Sequence, residues 1–485
     1  MTPREKIAHA CRRFAFGATV EELDRYEKAG LDATLKDLLD FEKPCSYPVS
    51  PFEFFYQKDA QLQTQPTRVT GWWLTRMVFT DRPNRDKLLV FLHDHFAVSA
   101  SKVESGPLML GYLQTLESNL TAPFATLLQA IAVDPAMLLW LDLRESVKGR
   151  PNENFARELM ELFTLGIGHY TETDVKETAR ALTGWSIRNV AAERGRDAQR
   201  VAFDDWARGG PPLVAAAYST ALWDESPKTI LGQTQAFDLA GVCRLMASQP
   251  ATALYLCRKL WEYYAYPNPE PKLVERLAKA FAKSQGRIPL VLAEMTKMPE
   301  FWSDKAVRAI VKSPIDYVIP IFREVLDREA ALKDRPERVD PTTPIAAPIQ
   351  TLANSAAVLC RRMGLLPLYP PDVAGWNWGT DWITSATILD RVNLFRSLTL
   401  DSRARPASVR VLKIAQAKGI SDNDGLVDLA IQVFDAPVND EQRATLRQIA
   451  KDAGLGSAAS NIDAFNRALA PVVRAIFSMP AFQLC

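Results

Sequence analysis

Apolar residues recur at three- and four-residue spacing through most of the chain, the period of helices with one buried face. Residues 3–40 read as two helices separated by Phe14, Phe16 and Gly17. Thr19 followed three residues later by Glu22 gives a capping-box start for the second. Residues 44–68, rich in proline, aromatics and glutamine, read as an ordered loop. An apolar helix from Thr70 to Thr80 carries Trp72 and Trp73, and a second follows Arg82-Pro83 with Leu88, Leu89, Phe91, Leu92 and Phe96. Helical patterning continues through 107–141.

The densest stretch runs from Arg150 to Trp185 and reads as two helices joined by a glycine-containing turn. Periodicity then fails over 186–232, where short runs around Gly209-Gly210-Pro211-Pro212 allow a small β-hairpin. Helices resume over 237–327. Residues 328–349, charged and then proline-rich, form the best linker. A helix at 350–363, a tryptophan loop, a helix from Ser385 to Leu400 and a helical tail complete the chain. VLAEMTKMPEFW (291–302) and VVRAIFSMPAFQ (472–483) share an apolar helix ending in Met-Pro-x-Phe and suggest two similar lobes. The expectation is a mainly α, large multi-helix globular protein. Residues 1–327 form its main domain, and the helical region 350–485 packs against it.

With 485 residues, 47% hydrophobic and 24% charged, the composition is that of an ordinary globular protein, and the net charge of +1 supplies no field that favours nucleic acid. No apolar run is long enough to span a membrane. The charged N-terminus lacks a secretory leader pattern, so a cytoplasmic location is expected. Cys11, Cys45, Cys243, Cys257, Cys360 and Cys485 form no CxxC and read as scattered reduced thiols. Phosphate-loop, dinucleotide-binding, zinc-peptidase and nucleophile-elbow motifs are missing.

Blocks throughout the chain resemble one bacterial family: RRFAFGAT near the start, FLHDHFAVSASKV at 91–103, NENFARELMELFTLG followed by TETDVKETARALTGW, KTILG at 228–232, QPATALYLCRKLW at 249–261, and PDVAGWNWGTDWI at 371–383 with the proline before it. The chain resembles the domain of unknown function 1800. That resemblance implies a helical fold, bacterial origin and a sulfatase-like companion protein as a partner. The chain departs from the usual family pattern at Phe163, at Trp223 before Asp224, at Asp94 between the two histidines and at Gln249. Three of these four changes remove a histidine, which counts against a histidine-built metal centre.

Candidate chemistry falls in three places. On a helix over Asn154–Gly166, Glu153, Arg157 and Glu161 line up as an ion ladder opposite Phe155, Leu159, Leu162 and Phe163. Glu158 sits at the edge of the apolar face, where partial desolvation would suit a general acid. It is the leading catalytic residue, with Asp372, Glu161 or Asp174 as second carboxylate and Arg180 as neighbour; its structural alternative is a buried pair with Arg180. His93 and His95 flank Asp94; i and i+2 face apart on a helix, so joint metal ligation requires an extended segment and a third, carboxylate ligand. Core-edge packing is the alternative. In the tryptophan loop, Trp376, Trp378 and Trp382 lie beside Asp372 and Asp381, with Arg391 on the next helix. Together with Trp185, these could bind a sugar, or the loop could simply be pinned to the core. The functional expectation is a hydrolase-type enzyme acting on a glycan-like or polyol-rich substrate. The alternatives are a non-catalytic helical binding or assembly protein working with the sulfatase-like companion, and a metal-dependent hydrolase built on His93 and His95. No cofactor is specified; a divalent metal belongs only to the last.

Overall fold

Helix starts are encoded locally. Thr2, Thr19, Thr171 and Asn439 each close a capping box, so two backbone N–H groups that the helix leaves unpaired find oxygen partners. Proline opens Pro66–Phe79, Pro83–His95, Pro250–Tyr264, Pro271–Lys283 and Pro314–Val325, where its missing N–H costs nothing. The computed structural model describes residues 1–56, 62–190, 198–333, 335, 339–399 and 410–485. Parts of the expected loop 44–68, of the stretch 186–232 and of the linker 328–349, and residues 400–409 at the start of the tail, lie outside the described residues.

The protein is mainly α-helical. The two N-terminal helices expected become three: Pro3–Phe14, Val20–Ala29 and Leu31–Leu38. Gly30 divides the last two with φ +84°, a conformation that disfavours side chains. Pro83–His95 is the central helix, and its one-sided amphipathicity vanishes because it is covered all round: every residue from Asp86 to His95 is buried. Buried apolar side chains from Ile7 to Phe482 form one contiguous cluster. The two Met-Pro echoes reappear as local structure. Helices Ile288–Met295 and Ile462–Ser478 each lead into a short 3-10 turn whose phenylalanine, Phe301 or Phe482, is buried.

Where periodicity fails, the structure holds more than one hairpin. β1 (Trp185–Asn189) pairs antiparallel with β2 (Val214–Tyr218), and β3 (Lys228–Ile230) pairs with β4 (Gln233–Gln235). A helix, Ala198–Ala207, lies between β1 and β2. It forms because Ala202, Phe203 and Trp206 share a face, and the two aromatic rings pack edge-on against Phe52. The segment expected as a linker also makes ordered contacts: Arg335 pairs with Glu53, and Ile345 N–H donates to Glu53 O at 3.1 Å.

Long-range polar bonds tie the N-terminal helices to Pro314–Val325. Arg323 Nη2 donates to Glu22 Oε1 at 2.7 Å, and Val20 N–H donates to Glu324 Oε1 at 2.8 Å. Burial pushes the Glu324 carboxyl up to about 8, more than Arg410 can offset. The folded chain therefore holds this proton while an unfolded glutamate releases it near about 4.3. Between those values the unfolded state binds fewer protons, so stability falls as pH rises through that window. Glu324→Gln is expected to remove this fall. In thermal melts from pH 4 to 8, its melting temperature should decline less than that of the unsubstituted chain.

Candidate functional site

Asp94 follows His93 near the C-terminal end of Pro83–His95, and the tryptophan loop folds over both. Trp376 N–H donates to Asp94 Oδ1 and Trp378 Nε1–H to Asp94 Oδ2, each at 2.9 Å. The carboxylate is 5% exposed. Burial raises its pKa, while the charge of Lys259 and the two N–H donors pull it back. Gly375 makes the approach achievable: it has φ +91°, and a Cβ there would lie 2.4 Å from Asp94 Oδ1.

The two histidines are structural in complementary ways. Leu368 N–H donates to His93 Nε2 at 3.0 Å, which places the remaining proton on Nδ1, 3.5 Å from Tyr112 Oη. His95 Nε2 lies 3.1 Å from Phe163 O and donates to it, so Nδ1 is its bare nitrogen. Burial brings His93 down to about 3 and His95 well below its ordinary value, so both rings stay neutral. The segment is helical rather than extended, and the rings turn apart. Among the described residues no three His, Cys, Asp or Glu side chains gather to hold a metal ion. The ligand set drawn from His93 and His95 is therefore not formed.

The tryptophans do not offer an open stacking surface. Trp376 and Trp382 are 7% and 4% exposed. Trp378 is half-buried and meets Tyr263 edge-on at 5.2 Å. Trp185 lies elsewhere, paired with Tyr218 across β1 and β2. Arg391 is fully buried; its Nη2 donates to Lys312 O at 2.8 Å and its guanidinium lies 4.8 Å over the Tyr317 ring. It braces the fold and faces no cleft. Asp372 is exposed and caps its own turn by accepting from Ala374 N–H at 2.8 Å.

In the 150–185 stretch the first helix ends at Glu161, short of Gly166, which turns with φ +79°. Arg157 reaches Glu153 at 3.7 Å, but its paired bonds, both 2.8 Å, go to Glu172 across the turn. The ladder is thus a brace between helices. Glu161 accepts from Tyr170 Oη instead. Asp174 closes the Thr171 capping box and takes Leu231 N–H at 2.7 Å, joining its helix to the β3–β4 turn. Arg180 bonds Glu177 and, through Nε at 2.9 Å, Asp224, so it is not the partner of Glu158.

Glu158 is left over. It is half-buried, and its carboxyl makes no hydrogen bond or ion pair among the described residues. Desolvation raises its pKa, the neighbouring Glu161 charge adds to the rise, and Arg157 opposes it. Tyr255 connects this region with the Asp94 site. Its ring packs beneath Gly166 and near His95, with Lys259 Nζ 5.8 Å away, and the charges of both Glu161 and Asp94 act on its hydroxyl. Lys259 escaped the sequence reading because a lysine within a helix signals nothing until its neighbours are known.

A sequence profile of the family described as "Protein of unknown function (DUF1800)" matches residues 9–484. No curated protein and no solved structure matches the chain.

Asp94→Ala strands one buried and one half-buried N–H donor and is expected to cost about 2 kcal/mol in urea unfolding. Gly375→Ala, strained at positive φ and driven into Asp94, should cost a similar amount. Both should alter the tryptophan near-ultraviolet circular dichroism.

Proposed function

The chain belongs to the DUF1800 family, whose description names no activity, and we propose that it is a hydrolase-type enzyme working by general acid–base chemistry at Glu158 and Glu161. The observation that carries this reading is the state of Glu158: a half-buried carboxyl without a hydrogen-bond partner, shifted towards holding its proton by desolvation and by Glu161. Two acids in unequal surroundings divide the roles of proton donor and ionised partner. Glu158 gives its proton to the leaving group, and Glu161, oriented by Tyr170, assists water or attacks directly.

An offset of three on a helix brings side chains to about 5–6 Å at Cβ. A carboxyl separation of about 5–5.5 Å suits retaining chemistry, and a wider one suits inversion. The substrate class is hydroxyl-rich and glycan-like. Tyr170 and Tyr255, both half-buried beside these acids, supply the aromatic faces in place of the tryptophans.

The test is a panel of aryl glycosides and esters offered to the purified chain and to Glu158→Gln. Turnover by the unsubstituted chain, reduced about 10²–10⁴-fold in the variant at unchanged melting temperature, is expected. Turnover that survives Glu158→Gln, or none on any substrate, removes the reading. The latter outcome favours the alternative, a non-catalytic protein acting with a sulfatase-like companion.

A further inference from the structure

Lys312 lies just before Pro314–Val325, and its main chain is fixed from both sides. Its N–H donates to Gln483 O at 2.8 Å, and its carbonyl accepts from Arg391 Nη2 at 2.8 Å. Ile310 and Cys485 exchange backbone bonds alongside, and Val311 bridges Leu484. The side chain is only 9% exposed, yet its Nζ makes no hydrogen bond and no ion pair among the described residues. Its Nζ lies over two aromatic faces, with the Phe482 ring centroid at 3.9 Å and that of Tyr317 at 5.8 Å. An ammonium so placed is largely desolvated and has no oxygen partner, a costly state for a purely structural lysine.

Lys312 lines a cavity of about 70 Å³ between the N-terminal helices, Pro314–Val325 and residues 432–435. The charged groups that line it, and the partners that hold them, come from several elements. Arg12 and Arg308 both hold Asp435, at 2.8 and 3.0 Å. Cys485 lies at the same end, and Arg391 packs behind Tyr317. Asp316 is bonded to Lys87, and Glu324 is paired with Arg410 at 3.6 Å. Of the cavity's three carboxyl groups, Asp435 is held by Arg12 and Arg308, Asp316 is held by Lys87, and Glu324 keeps its proton, so Lys312 is left without a counter-charge. Arg12 also keeps a buried Nε–H without a partner. The site favours an anion and presents an amine to it.

We propose that this cavity captures a small carbonyl compound bearing a carboxylate, a 2-oxo or aldehydic acid, as a Schiff base on Lys312 Nζ with the carboxylate held against Arg12. The amine lone pair forms the bond to the carbonyl carbon, the oxygen leaves as water, and a C=N bond replaces C=O. No oxidant or reductant is required. Burial, reinforced by Arg308 and Arg12 against Cys485 and Asp435, brings the amine down to about 7. About half is then free base at neutral pH, against about one part in 10³ for an ordinary lysine near 10.4. This site involves none of the Glu158 groups, and either assignment can fail alone.

The experiment treats the full chain with glyoxylate and sodium cyanoborohydride at pH 7, which reduces any imine to a stable carboxymethyl amine, and maps the adducts by peptide mass spectrometry. Lys312 should be modified at least about tenfold faster than any other lysine. Propanal, which lacks the carboxylate, should modify it more slowly. Lys312→Arg should remove the fast adduct, and Arg12→Gln should slow glyoxylate towards the propanal rate. Modification spread over other lysines without preference for Lys312 overturns the proposal, and equal rates with propanal overturn the anionic class. Mapping on the unsubstituted chain decides the first point even where a variant fails to fold.

Discussion

Two hydrogen bonds to one buried carboxylate, from Trp376 N–H and Trp378 Nε1–H to Asp94, are the constraint on which the centre of the molecule depends. An ionised carboxyl cannot stay inside a helical core without donors, and here the donors arrive on a loop more than 280 residues later in the chain. Their approach requires a residue without a side chain at Gly375. It also lays Trp376 edge-on to His93 and Trp378 against Tyr263, so the loop, the central helix and Pro250–Tyr264 pack as one body. Lys259, the cation acting on Asp94, belongs to the last of these helices.

The clasp changes how the remaining polar groups are read. Among the residues most conspicuous in the chain, His93, Asp94, His95 and Trp378 direct hydrogen bonds to the fold, and Trp376 and Trp382 are buried in it. Arg180, Asp174 and Arg391 do the same at the β3–β4 turn and under Lys312. Among the described residues, Glu158 at a half-open surface and Lys312 beside a cavity are two titratable side chains with neither a hydrogen bond nor an ion pair. Desolvation pushes each towards its neutral form, a proton donor in one case and a nucleophile in the other.

Local features were legible in the chain. The Thr19–Glu22 box, the helix–turn–helix of 150–185 and the Met-Pro echoes all follow from short-range rules, and all are present. The Ala198–Ala207 helix was missed because glycines and prolines just beyond it mask a short apolar face that is completed only by Phe52. Glu158 could be placed at the edge of an apolar face from helical geometry alone, but its isolation depends on Arg157 turning to Glu172 and Arg180 to Asp224. Lys312 is one of 58 basic residues and carries no local mark. Its surroundings are assembled from Arg12, Arg308, Asp435 and Phe482, which only tertiary packing brings together.

The division between groups used by the fold and groups left for chemistry is tested most directly by long-range ¹⁵N–¹H correlation spectra of the imidazoles. The expected result is His93 protonated on Nδ1 and His95 on Nε2, both neutral and unchanged across about pH 5–8. A ring that gains a proton near about 6.5, or that shifts when zinc is added, would contradict it and return the His-Asp-His segment to the list of reactive sites.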